Sequence, residues 1–593
     1  VFSVQKEKNE PFINMLRLLL SSVRTIALVT QRSIIVLGQR GRPDRACQIQ
    51  EGGKPMKIDK IRIEGFKRFR NFDLDLNPEF NVIVGDNETG KSSILEAIGL
   101  VLNRQYDGRT IDYTIDPYLF NTEMVAEFFE KRRNGEQATP PRVLIEAYFQ
   151  DDPGDQELAR LKGSNNTKTE DCPGLELTIA VDDDHVESLK AYADEQTNPV
   201  VLPVEFYRVT VRSFAGNTLT LRNQPFRATT IDTNIPRVYR GPNAYLAQVV
   251  NDLLTDEQRR NLSLAYKRLR HGFSQETGIT EINQHLEEQG NPATDKKLSV
   301  QMDMSSRSTW DRAVTAHLDD LPFDCVGKGE QCRVQLRLAI ACAQPTRVLL
   351  IEEPENHLSH TNLNILMEDI RKDCVDRQLI VTTHSAFVLN KLGIDNLKLI
   401  SHEGRTASLA NLEESTRDYF MKLPGYDTLR LILSKRSILV EGPSDELVVQ
   451  RAYKNKHGKL PLENGVDVIS VRSLAFKRFL QIAEPLELNV CVVTDNDGNV
   501  SALERKYNGY LNDQFPGIRI CYSTDEDSKT LEPQILRVNT LETINSILGT
   551  THENEDALLG YMTGHKTEYA LTMFESDQEW NAPEYIADAI DRE

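Results

Sequence analysis

The sequence predicts an α/β protein built from two successive parallel-sheet modules, and three observations predict it. An apolar strand, a glycine loop and a helix succeed one another over residues 80–102. A second apolar strand, 347–351, ends in the paired acids Glu352 and Glu353. Two further strands, 436–440 and 489–494, each run straight into carboxylates. Parallel α/β sheets keep their sites in the crevice at the carboxyl ends of their strands. The chain is therefore expected to carry one phosphate-cradling loop and one acidic crevice.

At 593 residues the chain is long enough for three or four domains of roughly 100–200 residues each. Hydrophobic residues make up 39% and charged residues 27%, the balance of a soluble globular protein. The net charge of −19 runs against a nucleic-acid binder, which needs a basic footprint. The charge is uneven, however. Residues 201–275 carry eleven Lys/Arg against five Asp/Glu, and residues 551–593 carry eleven acids against two bases. Both stretches read equally well as solvated helix faces, but clustered carboxylates can also hold divalent cations that then meet phosphate. The eight cysteines form no Cys-x-x-Cys pair, so neither a zinc site nor a disulfide framework is indicated, and reduced thiols in a cytoplasmic protein are expected.

Residues 1–55 differ in character from the rest of the chain. The apolar patches between Met15 and Gly38 are broken by Arg17, Arg24 and Arg32, short of the roughly 18–20 apolar residues of a membrane span. No small-residue cleavage site comes after them. From Met56 onward, Lys57-Ile-Asp-Lys-Ile-Arg-Ile-Glu alternates as a half-buried strand does. Met56 is thus expected to be the natural start and residues 1–55 a non-native or disordered leader; an Arg-rich targeting segment is the alternative. No membrane partner is expected.

In the first module, Phe80-Asn-Val-Ile-Val runs into Gly85-Asp-Asn-Glu-Thr-Gly90-Lys91-Ser92, and Ser93 opens a stretch with helical apolar spacing. That context makes the glycine loop a P-loop. Glycines let backbone N–H groups wrap phosphates, the helix N-terminus adds its positive end, Lys91 reaches the β/γ-phosphates and Ser92 offers a hydroxyl to Mg²⁺. Gly85, Asn87, Gly90, Lys91, Ser92 and Ser93 are the candidate ATP contacts. Far downstream, Glu352 and Glu353 form a Walker B pattern, the first supporting Mg²⁺ and the second orienting the attacking water. Just upstream, Gly327-Lys-Gly329-Glu-Gln331 opens a helical stretch and resembles the ABC signature motif, in which Gly329 and Gln331 would contact a nucleotide held by the opposite protomer. Gln378-Leu-Ile-Val-Thr-Thr-His384 is a strand ending in a histidine and resembles the switch that senses γ-phosphate. The long gap between Lys91 and Glu352 fits an ABC head of the SMC and repair-ATPase type, split by an insertion. Tyr245 to Glu288 has helical spacing and is decorated by Arg259, Arg260, Lys267, Arg268 and Arg270, as a short dimerisation arm would be. Two departures from the ABC pattern, Glu352 in place of Asp and the missing Ser before the glycine pair, imply slow hydrolysis or a mainly regulatory ATP.

In the second module, Arg436-Ser-Ile-Leu-Val leads into Glu441-Gly-Pro-Ser-Asp445, and Asn489-Val-Cys-Val-Val-Thr leads into Asp495-Asn-Asp497-Gly. Strand-Glu-Gly then strand-Asp-x-Asp resembles Toprim. Strand alternation is expected to point Asp495 and Asp497 the same way. Hard oxygen ligands suit Mg²⁺ or Mn²⁺, and two ions about 3.5–4 Å apart would stabilise both oxygens of an in-line displacement. Later, Lys529-Thr-Leu-Glu532 and His565-Lys566-Thr-Glu supply a further acid and a lysine.

Taken in order, these motifs resemble the OLD (overcoming lysogenization defect) family over residues 56–570. The resemblance implies an ABC/SMC-like ATPase head with a helical insertion, succeeded by a Toprim α/β domain. The expected boundaries are 56–240 and 296–425 for the two lobes of the head, 241–295 for the insertion and 426–593 for the Toprim domain, joined near Lys422–Tyr426. It implies an ATP-regulated, metal-dependent DNA endonuclease. Glu441, Asp445, Asp495, Asp497 and Glu532 would be metal ligands, with Ser92 the ligand at the ATP site. Glu441, Lys566 and Glu353 would be the chemically active groups. It further implies DNA as partner, a homodimer or tetramer, a role in anti-phage defence, and, as in Gabija systems, a UvrD-like helicase subunit. No topoisomerase tyrosine stands out among the 18 tyrosines and primase zinc ligands are absent, which favours nuclease chemistry. The alternative is an ATP-dependent DNA-binding regulator or repair ATPase whose Toprim module does not cleave.

Overall fold

A computed structural model of the chain describes residues 56–591, apart from 107–108, 196–199, 221–225, 233–253, 290–297, 304–309, 311–312, 343–347, 374–376, 402, 424–426, 472–475 and 513. The leader expected over 1–55 lies outside the described residues, as do Tyr245–Leu253 of the arm and most of the 422–426 junction. The strands that position the sites are β1 Phe80–Gly85, β2 Ala228–Asp232, β3 Val348–Glu352, β4 Gln378–Thr382, β5 Leu397–Ile400, β6 Thr406–Ser408, β7 Arg436–Val440, β8 Val466–Ser470, β9 Val490–Val493 and β10 Ile518–Cys521. The helices around them are α1 Lys91–Asn103, α2 Lys328–Cys342, α3 Ala386–Leu392, α4 Pro443–His457, α5 Leu531–Val538, α6 Glu555–Gly564 and α7 Lys566–Glu575.

The first parallel sheet has the order β2-β3-β4-β1-β5-β6, with only β6 antiparallel. The glycine-loop strand β1 is therefore central, between the histidine strand β4 and β5. A separate antiparallel sheet is built from Ile58–Phe66, Phe69–Asp75, Val143–Phe149, Cys172–Val181 and Tyr207–Ser213, with Lys162–Gly163 paired on its edge. Helix α1 lies between the two sheets, against strands of both. That placement explains its sequence: Ile94, Leu95, Ala97, Ile98, Leu100, Val101 and Leu102 are all buried, which a helix covered on one side would not require.

The second parallel sheet has the order β8-β7-β9-β10. Period-two alternation lets one strand feed two cores. On β9, Val490 and Val492 enter a cluster shared with Val82 and Val84 of β1, while Cys491 and Val493 pack against α5, α6 and α7 on the other face. The described part of the arm is helical, as expected, but in two pieces. It breaks at Gln275–Glu276 into Asp256–Ser274 and Thr277–Gln289, and the first helix begins behind a Thr255–Gln258 capping box. No helix among the described residues is long and apolar enough to cross a membrane.

Candidate active sites

The loop between β1 and α1 needs its glycines. A Cβ on Gly85 would lie 2.6 Å from the Ile400 carbonyl oxygen, and Gly90 has φ +95° with the Phe69 ring 2.5 Å from where its Cβ would be. The Lys91 ammonium is folded back into the loop and donates to the carbonyls of Gly85 (2.9 Å) and Asp86 (2.8 Å). Burial lowers its pKa, partly opposed by Glu353, Asp86 and Glu352. Ser92 donates to the Glu352 carboxylate, which unites motifs 260 residues apart. Glu353 holds a left-handed φ of +44°, a costly conformation for a non-glycine residue and one that clusters at functional sites. Its N–H donates to Thr382 O (3.0 Å), its Oε2 accepts from Asn356 (2.7 Å), and its Oε1 lies 3.3 Å from His384 Nε2. Lys91, Ser92, Glu352, Glu353 and His384 are thus brought together. Asn87 is exposed and Ser93 half-buried on the first turn of α1.

Gly329 lies in the first turn of α2, where a Cβ would meet the His357 carbonyl oxygen at 2.5 Å. Within its own chain Gln331 is hydrogen-bonded. Its amide donates to Phe323 O (2.7 Å) and Val326 O (2.8 Å) and so ties down the entry to α2. Sequence reading also missed Glu355. Its Oε1 accepts from the Thr383 hydroxyl (2.7 Å) and the His384 N–H (2.7 Å), pinning the histidine loop to the end of β3. Burial raises the Glu355 pKa. Nothing in the sequence separates this acid from its neighbours, because its partners lie on another strand.

The acidic crevice forms where β7 and β9 end side by side. Their register pairs Ser437 with Val490 and Leu439 with Val492. The same offset sets Thr494 opposite Glu441, and the Thr494 hydroxyl donates to Glu441 Oε1 at 2.7 Å, with Asp495 N at 3.3 Å. Asp445, in the first turn of α4, accepts from the Gly442 N–H (2.9 Å). Burial, then Glu441, pushes its carboxyl up to about 6. Asp495 is pushed up to about 8, by burial first and then by Asp445, Glu441, Glu532 and Asp497.

Asp497 corrects the expected alternation. Strand β9 stops at Val493, and Asp497 is an exposed turn residue at φ +50°. The turn is shaped by Asn496, a buried residue that the sequence did not flag. Its amide donates to Ser523 O (2.9 Å) and Asp525 O (2.6 Å), and its oxygen accepts from Gly498 N (2.8 Å). Glu532, in the first turn of α5, is 2% exposed and accepts from the Thr530 hydroxyl (2.8 Å). Lys566 reaches it from α7 at 3.2 Å while remaining half exposed, so the ammonium can also meet a ligand from outside. Burial opposes the Lys566 charge, but Glu532, Asp495 and Asp445 outweigh it and raise its pKa. Tyr569, one turn along α7, is buried beside Glu532.

Among the described residues no three His, Cys, Asp or Glu side chains already stand as a ligand cluster. The acids are instead turned onto the chain's own donors: Thr494, Gly442, Thr530 and Lys566. The donor set nevertheless fits a hard divalent cation, because Glu441, Asp445 and Glu532 all press on the buried Asp495 carboxyl and favour its proton, whose place a cation can take. These four would hold the ion, which would polarise a phosphodiester. Lys566 would add positive charge at the rim, and Thr494 with the Asp495 N–H would fix the direction of Glu441.

Residues 432–497 match the family described as overcoming lysogenization defect protein-like, TOPRIM domain. The chain carries an OLD-like Toprim domain. The match takes in Glu441, Asp445, Asp495 and Asp497; Glu532 and Lys566 lie beyond it. Ahead of the OLD-like Toprim domain, residues 56–202 match an AAA ATPase domain, and 204–390 match an AAA domain described as putative AbiEii toxin, Type IV TA system. The DNA replication and repair protein RecF of Actinobacillus pleuropneumoniae serotype 5b is 32% identical over 74 residues, 12% of this chain and 21% of the relative. The chain thus spans about a fifth of the length of the curated relatives it matches. Among solved structures, the SMC head domain from Thermotoga maritima aligns with 58% of this chain and 94% of its own at 15% identity and a TM-score of 0.27. The C-terminal region of the Xanthomonas campestris pv. campestris OLD protein aligns with 27% of this chain and 93% of its own at 19% identity and a TM-score of 0.20. Likenesses that slight add nothing to the side-chain geometry.

Proposed function

We propose that the chain is an ATP-regulated, divalent-metal-dependent DNA endonuclease, which nicks or cuts as a homodimer or tetramer and serves anti-phage defence in the cytoplasm. The observation that carries this reading is the gathering of Glu441, Asp445, Asp495 and Glu532 at the carboxyl edge of a parallel sheet, with Lys566 3.2 Å from Glu532 at the rim. The ATPase segments upstream, with Ser92, Glu352, Glu353 and His384 gathered round the loop, supply the nucleotide control.

The test is supercoiled plasmid incubated with Mg²⁺ or Mn²⁺, with and without ATP, beside the Glu441→Ala/Asp495→Ala double variant. Metal-dependent nicking or linearisation that the variant loses is the expected result, and the ATP lanes give the sign of control. The short RecF likeness favours a second reading, an ATP-dependent DNA-binding regulator or repair ATPase with a non-cleaving Toprim module. DNA binding without cleavage in every metal and nucleotide state would select it.

A further inference from the structure

Beside the acidic crevice the chain mounts three aromatic rings in a row. His552 and Tyr561 have ring centroids 5.2 Å apart at 40°, and Tyr561 and His565 are stacked at 4.6 Å and 24°. Both ends are fixed. Asn545 holds His552 through its N–H (3.0 Å) and its carbonyl (2.9 Å), and His565 Nδ1–H donates to Tyr561 O at 3.0 Å. Tyr561 packs against the core formed with α5 and α7, whereas His565 is exposed, so burial does not account for the outer ring. The residue next to His565 is Lys566, whose ammonium lies 3.2 Å from Glu532. His565 also occupies the N-cap position of α7 without a side-chain cap.

We propose that this ladder is a stacking platform for an unpaired nucleobase of a DNA single strand, with the adjoining phosphate next to Lys566. The placement beside the scissile bond rests on the nuclease reading. Aromatic faces accept any base, because every base has a π-face. Charge cannot carry this contact: residues 551–593 hold eleven acids and two bases, and Glu555 and Asp556 sit at the far end of α6. Stacking must therefore supply the affinity. The ladder makes the preferred substrate a strand with an unstacked base, as in a flap, a bubble or an end, rather than intact duplex.

The test uses the full chain in EDTA, so that binding is read without cleavage, and a short oligo-dT strand carrying one 2-aminopurine as the probe. Wild type should quench the probe on binding. His565→Ala should weaken binding roughly five- to a hundredfold, the range of one lost base stack. His565→Trp should restore it, and the loss should persist as salt is raised, because stacking is not screened. Binding of the matching duplex should be unaffected. Equal binding of the strand by wild type and His565→Ala would overturn the proposal, as would a loss common to strand and duplex, or no binding of the strand at low salt. Plasmid cleavage by wild type together with strand binding that His565→Ala leaves unchanged would sink the ladder alone, whereas a His565-dependent strand complex without any cleavage would keep the ladder and sink the nuclease reading.

Discussion

Raising the pH of the metal-free protein from about 5 to about 8 should destabilise it, because Asp495 must then ionise among other acids. Its carboxyl is displaced from the ordinary 3.8 to about 8, first by burial and then by Asp445, Glu441, Glu532 and Asp497. Between those two values the native chain keeps a proton that the unfolded chain has lost. Stability is therefore highest at the acid end, falls as pH rises through the window, and levels off above it. At about 1.4 kcal/mol per pH unit the whole displacement corresponds to roughly 6 kcal/mol. Water reaches part of the side chain, so a few kcal/mol is the working expectation. For a folding unit of 150–250 residues, about 2–4 °C of Tm per kcal/mol makes the fall several degrees. A divalent cation replaces the proton. Mn²⁺ should therefore raise Tm at pH 8 far more than at pH 5. Scanning fluorimetry across pH, with EDTA or Mn²⁺, reads both effects, and Asp495→Asn should flatten the slope and blunt the response to Mn²⁺. A pH profile shared by wild type and Asp495→Asn, or a Tm at pH 8 indifferent to Mn²⁺, would refute the reasoning.

Three other outcomes rest on single contacts. Glu355→Ala strips the acceptor from two donors at 2.7 Å and should cost about 2–4 kcal/mol in denaturant unfolding and slow ATP turnover, while Glu355→Gln, which keeps an oxygen, should cost about 1; a neutral Glu355→Ala would show that the histidine loop does not depend on it. Tyr569→Phe deletes a buried hydroxyl that lies beside Glu532. It should leave Tm unchanged or slightly higher, yet weaken Mn²⁺ binding by about tenfold in an EPR titration, since groups that orient a metal ligand typically matter by about 10–100-fold; unaltered Mn²⁺ affinity would mean that the phenol does not orient Glu532. Thr428→Val removes the buried donor to Asn390 at 2.9 Å and should reduce the effect of ATP on plasmid cleavage while sparing ATP turnover; an unchanged ATP effect would locate the coupling elsewhere.

The sequence carried what is local. The glycine loop, the acid pair after β3 and the strand-to-acid turns after β7 and β9 are each a short string whose chemistry needs no partner to be recognised. What stayed hidden depends on register. Thr494 orients Glu441 only because β7 and β9 pair with a particular offset, and Asn496 matters only because the segment after β10 passes beside it. Asp497 was misplaced because alternation was extended past Val493, where a left-handed turn takes over. The bonds from the Gln331 amide to the Phe323 and Val326 carbonyls likewise depend on how the chain turns into α2, which its sequence does not mark. Cys491 and Cys521 show the same limit. Their sulfurs lie 3.3 Å apart on adjacent strands, which spacing along the chain cannot reveal.

The two parallel sheets do not communicate through a loose tether. Val82 and Val84 of the glycine-loop strand share one apolar cluster with Leu439, Ile469 and Val492 of the Toprim sheet. Sliding one sheet past the other would open that cluster, and packed interiors resist such deformation. Under the proposed ATP control, a nucleotide signal would travel through a few fixed contacts, and the side chains trace one route. Behind His384, Ser385 caps α3 through the Val388 N–H. On α3, Asn390 accepts from Thr428. Two residues further, Arg430 grips Asp467 (2.6 and 2.9 Å) and the Val468 carbonyl (3.0 Å) on β8. Strand β8 pairs along its length with β7, whose end carries Glu441. Contiguity alone does not prove coupling; coupling needs an element with two arrangements that both sites bias. Helix α3 is the natural one. It begins at the histidine loop, ends at Gly393 with φ +100°, and is hydrogen-bonded toward the Toprim side through the buried Thr428 hydroxyl. A rotation of α3 that moves His384 toward or away from Glu353 would load or release Arg430, and so shift the edge on which the acids stand.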